Sequence, residues 1–412
     1  MLTQLGIGAK KAERVLMTAT SEMKNKALEA IAKALIENTA YIEENNRIDI
    51  ENARSNGMSE SMIDRLSLNE SRIRAISDAV LQVASLDDPC GKVVSGTKRP
   101  NGLLIEKVTV PLGVIAVIFE ARPNVTVDAA ALCLKSGNSV ILRGGKEAIN
   151  SNKAMTAIMR KAVASAGLPE DCIQLVEDTS RESAVALMKM NDYVDVLIPR
   201  GGAGLIKSCV ANATVPVIET GTGNCHIYVD KDADLDMAAE IIFNAKTSRP
   251  SVCNACESLV IHRDVAKEAL PMIKAKLDEK NVIIHGDDET AKIIPDVIIA
   301  TEEDYAKEYL GYEISIKIVC DIDEAIEHIM KYTSSHSECI VTNNYFAQKK
   351  FTSQVDAAAV YVNASTRFTD GGEFGFGAEI GISTQKLHAR GPLGLPELTS
   401  MKYIISGEGQ IR

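Results

Sequence analysis

An unbroken alternation of apolar strands and helices over residues 113–218 constrains the fold of this chain more than any other feature. Residues 114–119 read Val-Ile-Ala-Val-Ile-Phe, which predicts a strand that is apolar on both faces. Strands of this kind, joined by helices, are typical of a doubly wound parallel sheet that is covered by helices on each side. Further strands of this sheet are predicted at 139–142, 172–176, 194–198 and 215–218.

The rest of the chain predicts a second α/β region and flanking elements. Since 412 residues exceed one ordinary core, we expect a cofactor domain (1–225), a catalytic domain (226–365) and a loop with a C-terminal strand (366–412). The elements predicted outside the first sheet are helices at 9–46, 69–85, 235–246 (capped by Asp234), 265–279 and 322–330, a hairpin at 97–111, and strands at 258–262, 316–319 and 400–405.

Composition and charge exclude several classes of function. Hydrophobic residues make up 46% of the chain and charged residues 25%, as in folded soluble proteins. The net charge of −11 disfavours a nucleic acid or an anionic membrane as partner, so an anionic ligand needs a few local cations. No apolar run is long enough to span a bilayer, and the N-terminus lacks the apolar core of a signal peptide. Nine cysteines, an odd number, favour thiols in a reducing, cytoplasmic compartment.

Two turns of the first predicted sheet combine glycine with a cation at the carboxyl end of a strand. One contains Arg143, Gly144, Gly145 and Lys146, and the other is Arg200-Gly201-Gly202. Backbone N–H groups and the positive end of a helix dipole favour a phosphate at such a position, which is where open α/β sheets bind their ligands. Neither turn contains G-x-G-x-x-G, so ordinary tight turns remain an alternative.

Cys253 is the candidate nucleophile. Pro250 ends the preceding helix, so the cysteine is expected on a loop that leads into the strand at 258–262. A thiol there is accessible, and the neighbouring Arg249 favours the reactive thiolate. Attack on a carbonyl requires donors for the developing oxyanion, for which the Cys253 N–H and a side-chain amide are the usual candidates.

Cys253 and Cys256 also form a C-x-x-C pair, which opens another class of function. A structural zinc site needs four ligands, and no second pair completes this one. A thioredoxin-like pair opens a helix, whereas a strand is predicted here. We therefore expect no metal site and interpret Cys256 as a buried neighbour, with a non-catalytic redox scaffold as the rival hypothesis.

Four segments, in the same order along the chain, resemble segments of the aldehyde dehydrogenase superfamily. Together they span much of the chain and include the candidate nucleophile. They are Pro123-Asn124, similar to the Asn-Phe-Pro oxyanion segment; 135–143, similar to the Ala-Gly-Asn-x-Val-x-Leu-Lys cofactor strand; 219–223, similar to the Glu-Leu-Gly-Gly base segment; and Phe243 with Cys253-x-Ala255-x-Glu257-Ser258, similar to the nucleophile segment.

The resemblance implies the fold of that superfamily, with two doubly wound α/β domains and with the hairpin at 97–111 and the strand near Tyr403 used for oligomerisation. Longer strings at 119–124, 218–226, 249–254, 365–371 and 374–390 resemble one branch, which reduces an acyl phosphate. They imply NADPH-dependent reduction of L-glutamate 5-phosphate to L-glutamate 5-semialdehyde in proline biosynthesis, through a thioester on Cys253. Another acylating aldehyde dehydrogenase, dependent on coenzyme A or water, is the alternative within the superfamily.

The resemblance also implies roles for individual residues. Asn124 would hold the oxyanion, although a helix cap is an equally ordinary role for it. Glu219 occupies the base position of hydrolysing relatives; because water would waste the thioester, we expect it to tune Cys253 or to be structural. Glu308 matches a position that contacts the nicotinamide ribose, with an exposed helix residue as the alternative.

Charge favours NADP(H) over NAD, because the cations Arg143 and Lys146 suit a 2′-phosphate, with Glu147 as the opposing feature. The substrate's carboxylate and acyl phosphate need cationic or amide-rich subsites. Candidates in the resembling strings are Arg122, His226, Arg249 and Arg367, each of which also suits a surface or ion-pairing role. We further expect a homo-oligomer, a dimer or a tetramer, and a functional coupling to glutamate 5-kinase.

Overall fold

The computed structural model describes residues 2–120 and 122–412, with Ser61 described by its backbone only. The α-helices are α1 (Leu2–Leu16), α2 (Ser21–Glu37), α3 (Thr39–Ser55), α4 (Glu60–Leu66), α5 (Glu70–Ser85), α6 (Asn124–Lys135), α7 (Ile149–Ser165), α8 (Arg181–Leu187), α9 (Ala203–Asn212), α10 (Leu235–Thr247), α11 (Arg263–Asp278), α12 (Asp288–Ile293), α13 (Glu302–Ala306), α14 (Ile322–Tyr332) and α15 (Tyr345–Gln354). The strands are β1 (Val93–Lys98), β2 (Leu104–Pro111), β3 (Val114–Phe119), β4 (Ser139–Arg143), β5 (Ile173–Leu175), β6 (Val196–Arg200), β7 (Cys225–Val229), β8 (Cys256–His262), β9 (Ile283–Gly286), β10 (Ile298–Ile299), β11 (Glu313–Val319), β12 (Ser337–Val341), β13 (Ala359–Val362), β14 (Ile382–Ser383), β15 (Gly391–Pro392) and β16 (Thr399–Ser406).

The chain divides into two compact units. Unit 1 comprises Met1–Thr220, Gly375–Gly381 and Leu393–Arg412, and unit 2 comprises Gly221–Phe374 and Ile382–Pro392. The C-terminal part of the chain therefore contributes to both units. None of the helices in the described residues combines the length and the apolar composition that crossing a membrane requires.

Unit 1 contains a four-stranded parallel sheet with the strand order β5-β4-β3-β6. All six residues of β3 are buried, as expected for a strand with helices on both faces. The strand predicted at 215–218 is reduced to a single bridge between Leu197 and Val217. The reason is Pro216, which has no N–H to donate to a ladder.

Helices α2, α5, α6 and α7 pack against one another in unit 1. The amphipathic pattern at 9–46 predicts one helix, but the structure has three, α1 to α3. Thr20 is the N-cap of α2, where its side chain accepts a hydrogen bond from the Met23 N–H, and Asn38 separates α2 from α3. Side chains that compete with the backbone for hydrogen bonds therefore divide a continuous apolar stripe.

A separate antiparallel sheet in unit 1 joins the hairpin β1–β2 to β16. The hairpin turn contains Gly102, whose φ of 92° is one that residues with a side chain rarely adopt. The strands β1 and β16 form the two edges of the sheet, and every residue of β1 and every residue of β16 after Thr399 is exposed.

Unit 2 is built on a seven-stranded parallel sheet with the order β10-β9-β11-β8-β7-β12-β13. Successive residues of β7 enter different cores, as the period of a strand requires: Ile227 and Val229 join one apolar cluster, and Tyr228 joins another. This sheet therefore has a packed core on each face, with β7 and β8 at its centre.

Candidate active site

Cys253 lies on the loop between α10 and β8, as the sequence predicts. We call residues 248–255 the nucleophile loop. Asp234 caps the start of α10 by accepting a hydrogen bond from the Met237 N–H at 3.0 Å. The Cys253 side chain is partly exposed, whereas Asn254 and Ala255 after it are buried. One thiol is thus presented at the surface of a loop whose far end is anchored in the core.

The backbone of Cys253 is contacted by β7 and by the segment that precedes β7 in the chain. The Cys225 thiol donates to the Cys253 carbonyl oxygen at 3.2 Å. A Cβ on Gly223 would lie only 1.5 Å from the same oxygen, so only glycine fits there. The N–H of Gly223 donates to the Glu308 carboxylate at 2.7 Å. Glu308, a predicted cofactor residue, is therefore linked to the nucleophile loop through Gly223.

Asn254 ties the nucleophile loop to the segment at 365–369. The Asn254 side-chain amide donates to the backbone carbonyls of Arg367 at 3.1 Å and Thr369 at 3.0 Å. The backbone carbonyl of Asn254 accepts from the Thr366 hydroxyl at 2.7 Å. These bonds fix the backbone directly after Cys253. Asn254 was not among the predicted site residues.

Arg367 lies beside Cys253, and Arg249 lies beside Arg367. The Arg367 guanidinium donates to the Ser248 hydroxyl at 3.2 Å and also to the Asn254 side-chain oxygen, so it contacts both ends of the nucleophile loop. Burial lowers the pKa of Arg367, the adjacent Arg249 lowers it further, and Cys253 raises it. The exposed Arg249 and the half-buried Arg367 are thus close enough to repel each other. An anion bound between the two guanidinium groups would relieve that repulsion.

Cys256 is fully buried at the start of β8, and its thiol lies 3.4 Å from the Ser258 carbonyl. Burial raises the pKa of the Cys256 thiol far above its ordinary value. A buried neutral thiol suits the core role assigned to it from the sequence. Within the part of the chain that the structure describes, no three His, Cys, Asp or Glu side chains are grouped to hold a metal ion.

Two further predicted site residues lie on either side of the unit boundary in the sequence: Glu219 belongs to unit 1 and His226 to unit 2. His226 is fully buried in β7, where its backbone N–H (2.7 Å) and its Nδ1 (3.0 Å) both contact the Glu338 carboxylate. His226 is thus a buried partner of Glu338. Glu219 is partly exposed and precedes the buried Thr220, whose hydroxyl donates to the Pro199 carbonyl at 2.6 Å.

In unit 1, Asn124 is the first residue of α6, after Pro123 at the N-cap position. Its amide donates to the Asp128 carboxylate at 2.8 Å. Burial raises the pKa of Asp128 to about 6, against the opposing effects of Asn124 and Arg200. The predicted oxyanion donor is therefore oriented by a carboxyl group one helical turn away. Arg122 is partly exposed in the turn before α6, while Ala121 lies outside the described residues.

Of the predicted cofactor residues, Arg143 is the last residue of β4, and Gly144, Gly145 and Lys146 follow it. Arg143 donates to the carbonyls of Thr179 at 2.7 Å and Ser180 at 2.8 Å, and burial lowers its pKa. Lys146 is exposed. A Cβ on Gly144 would meet the Asn152 amide at 2.1 Å, and one on Gly145 would meet the Glu147 carboxylate at 2.1 Å. Close packing within the turn thus accounts for both glycines.

The turn after β6 places Gly202 at the N-cap of α9. The Gly202 N–H donates to the Glu120 carboxylate at 3.1 Å, and a Cβ on Gly201 would lie 2.5 Å from the same carboxylate. Both glycines are exposed. A negative group is therefore held at this helix N-terminus by the chain itself, in keeping with the positive end of the helix dipole.

Comparison with known proteins identifies the fold. Residues 7–307 match the sequence model described as the aldehyde dehydrogenase family. The chain belongs to the aldehyde dehydrogenase family. The gamma-glutamyl phosphate reductase of Clostridium botulinum strain Eklund 17B is 61% identical over 407 residues, covering 99% of this chain and 98% of the relative. That of Clostridium novyi is 60% identical over 404 residues, covering 98% and 97%.

The crystal structure of the gamma-glutamyl phosphate reductase of Thermotoga maritima superposes with a TM-score of 0.98 at 51% identity, covering 100% of this chain and 99% of that one. The predicted fold class, that of the aldehyde dehydrogenase family, is confirmed by these findings. So is the more specific resemblance to the acyl phosphate-reducing branch of that family.

Sequence reasoning missed the residues that support the reactive groups in this member of the aldehyde dehydrogenase family. Asn254, Asp128 and Glu120 each contact a predicted site residue through a side chain. Asp128 carried a signal, because it lies four residues after Asn124 and i, i+4 side chains meet on a helix. Asn254 and Glu120 carried none, because their partners are distant in sequence.

Proposed function

We propose that this protein reduces L-glutamate 5-phosphate to L-glutamate 5-semialdehyde with NADPH, in the cytoplasm and in proline biosynthesis. One observation carries the proposal: a partly exposed cysteine with Arg367 beside it and Arg249 beside Arg367, in a chain whose full-length relatives are named gamma-glutamyl phosphate reductases. Thiolate chemistry needs the cysteine, and an acyl phosphate needs the cations.

Cys253 is proposed as the nucleophile that attacks the acyl carbonyl and displaces phosphate to leave a thioester. Arg249 and Arg367 favour the Cys253 thiolate and neutralise the phosphate as it leaves, so that the leaving group needs no proton. The Cys253 N–H and Asn124 are the proposed donors to the oxyanion, by family membership; removal of one such donor typically costs about 10²–10³ in rate. Asp128 orients Asn124 for that role.

The nicotinamide cofactor, when bound, supplies the hydride that reduces the thioester. The N-terminus of α9, with the exposed Gly201 and Gly202, is proposed to hold a dinucleotide phosphate through the Gly202 N–H, in place of the Glu120 carboxylate that this N–H contacts in the structure. The exposed Lys146 fits a 2′-phosphate, which favours NADP over NAD, whereas Glu147 beside Gly145 opposes it. Comparison of kcat/KM for the two cofactors tests this preference. The Glu147→Gln variant should raise it further.

Roles for the other predicted residues follow from their surroundings. Glu308 is proposed to contact the nicotinamide ribose while it holds the Gly223 N–H. Glu219 is proposed to tune Cys253 and not to activate water. Among the four substrate candidates, Arg249 and Arg367 suit the phosphate, Arg122 suits the carboxylate, and the buried His226 suits support of β7.

The test follows the reverse reaction. Glutamate 5-semialdehyde, NADP⁺ and inorganic phosphate should yield NADPH, followed by its absorbance, and the rate should saturate with phosphate. Arg367→Gln and Arg249→Gln should each raise the KM for phosphate by about tenfold or more, the effect of losing a charged hydrogen bond. Arg263→Gln is the matched control, since Arg263 is an exposed arginine of unit 2 that lies at the end of β8 away from the nucleophile loop and pairs with Glu289.

Three results would contradict the proposal. A rate that is independent of phosphate would point to oxidation by water, and a rate that needs coenzyme A would point to another acylating aldehyde dehydrogenase. Selective labelling of Cys253 by iodoacetamide with no loss of NADP⁺ reduction would remove the cysteine from the mechanism.

We also propose a homo-oligomer formed through the sheet of β1, β2 and β16, and a functional coupling to glutamate 5-kinase. The first rests on exposed apolar residues of that sheet, and the second on the instability expected of an acyl phosphate in water. Co-elution of the two enzymes and transfer of the intermediate under dilution would test the coupling.

A further inference from the structure

The two ends of the nucleophile loop are joined by a fully buried ion pair. Lys246 lies in the last turn of α10 and Glu257 is the second residue of β8, so Cys253 lies in the chain between them. The Lys246 ammonium is 2.7 Å from one Glu257 carboxylate oxygen, and both side chains are 0% exposed. The pair closes the base of the loop.

Stability alone does not account for this pair. Removal of two charges from water costs several kcal/mol each, and apolar side chains of similar volume at a buried pair are often equally stable or more so. The other Glu257 oxygen has no hydrogen-bond partner among the described residues. A buried pair with this cost is best explained by the geometry that it imposes.

Glu257 also faces the segment that follows α13. The backbone N–H groups of Leu310 and Tyr309 lie close enough to Glu257 to lower its pKa. The residue before them, Glu308, accepts the Gly223 N–H, and Gly223 lies directly against the Cys253 carbonyl. One carboxyl group therefore contacts the base of the nucleophile loop and the segment that supports the loop from the other side.

We propose that Lys246 and Glu257 are positioning residues, whose ion pair fixes the nucleophile loop so that the Cys253 thiolate meets the acyl carbonyl. Both side chains are fully buried, which leaves no surface on them for substrate or cofactor. The inference rests on the proposed function, because it takes Cys253 as the nucleophile.

The pair also sets an acid limit on activity. Burial raises the pKa of Glu257 to about 7, more than Lys246 opposes it. The other titratable groups that face Glu257 are Cys256 on its own strand and Tyr309, both of which have raised pKa values and are neutral at pH 7. As the pH falls through about 7, Glu257 becomes protonated and Lys246 loses its counter-charge, so the loop loosens.

The decisive variant is the double substitution Lys246→Met/Glu257→Gln, which removes both charges and leaves no buried charge unpaired. We expect it to fold, with the buried cysteines protected from alkylation. Its kcat should fall about 10- to 100-fold, the cost of misplacing a reacting group by about 1 Å, with the KM for NADP⁺ unchanged. The acid limb of its pH profile near 7 should disappear. The control is Lys274→Met/Asp278→Asn, which removes a more exposed pair from α11.

A native kcat and an unchanged pH profile in the folded double variant would overturn the inference, because a purely structural pair predicts that result. If the double variant does not fold, Glu257→Asp decides: it keeps the charge but shortens the reach, and an undiminished kcat would overturn the inference equally.

A failure of the proposed function can be distinguished from a failure of the inference about Lys246 and Glu257. If the native protein reduces no acyl phosphate, the ratio of iodoacetamide labelling at Cys253 to that at the exposed Cys320 still reports the loop. We expect the ratio to change by about fivefold or more in the double variant, since thiol reactivity follows local environment. An unchanged ratio would overturn the inference.

Discussion

The fit between Gly223 and Cys253 is the tightest constraint at the scale of single residues. A methyl group at position 223 would lie 1.5 Å from the Cys253 carbonyl oxygen, a backbone atom that cannot rotate away. We expect Gly223→Ala to destabilise the protein by about 2 kcal/mol, as overpacking does, and to lower kcat more than tenfold by displacing the nucleophile. Urea unfolding and steady-state kinetics measure the two effects.

The matched control is Gly311→Ala in the same unit, where the added carbon would meet the Tyr309 carbonyl at an ordinary 3.7 Å. It should change stability by less than about 0.5 kcal/mol. Equal behaviour of the two variants would show that the nucleophile loop adjusts to a side chain at position 223.

Asp128 should make the stability of unit 1 depend on pH. Burial raises its folded pKa to about 6, above the ordinary value of 3.8. The native state therefore binds this proton more tightly than the unfolded state, and the resulting stability is complete below about pH 4 and lost as the pH rises through about 6. As the pH rises from about 4 to about 8, the native protein loses this stability and Asp128→Asn does not. The free energy of unfolding of the variant should therefore rise, relative to that of the native protein, by on the order of 2 kcal/mol.

Urea midpoints at the two pH values measure this difference, with the exposed Asp192→Asn as control. Parallel changes in the native protein and in Asp128→Asn would show that Asp128 titrates in the folded state as it does in the unfolded chain.

Among the elements, α10 has a cap that was predicted from the sequence and then observed. Asp234 accepts the Met237 N–H at 3.0 Å, and the other end of α10 leads into the nucleophile loop. Asp234→Ala should cost about 1 kcal/mol of unfolding free energy, and Asp234→Asn much less, since Asn caps equally well. Because the ion pair of Lys246 fixes the far end, kcat should stay native in both. A lower kcat in Asp234→Ala would show that fraying at the cap reaches Cys253.

How well an element was predicted depends on whether its pattern is local. The strand β3 and the helix α10 were predicted because apolar runs and a cap lie within a few residues of each other. Strands β7 and β12 were missed because their apolar runs are interrupted by His226 and Glu338, which pair with each other across the sheet. The same limit applies to the site. The motif around Cys253 is local, whereas the partners of Asn254 lie more than one hundred residues away.

At the scale of the whole molecule, a chain with a net charge of −11 is proposed to bind an anionic substrate and an anionic cofactor. The long-range field of the protein opposes both ligands, so binding depends on local cations such as Arg249, Arg367 and Lys146. Two carboxylates oppose the cofactor: Glu147 lies in the turn after β4, and Glu120, which follows β3, contacts the Gly202 N–H. We therefore expect selectivity between NAD and NADP to be set by a few side chains and not by overall charge.

The sheet of β1, β2 and β16 is the surface through which whole molecules are proposed to associate. Along β16, Met401, Tyr403 and Ile405 are 44%, 63% and 61% exposed, and in β1 Val93 is 57% exposed. Alternate residues of a strand share a face, so the three β16 side chains form one apolar strip on an edge strand that can pair with another chain.

A charge on this strip should separate the subunits. Ile405→Asp would bury a carboxylate in the proposed interface, so we expect light scattering to show the mass of a monomer where the native protein has that of a dimer or a tetramer. Ile411→Asp, at a position that is 96% exposed and beyond the end of β16, is the control and should leave the mass unchanged. An Ile405→Asp protein with the native mass would place the interface on another surface. If two subunits associate only through hydrogen bonds of the β16 backbone, side chains contribute little to the interface. The Ile405→Asp variant should then weaken association without abolishing it.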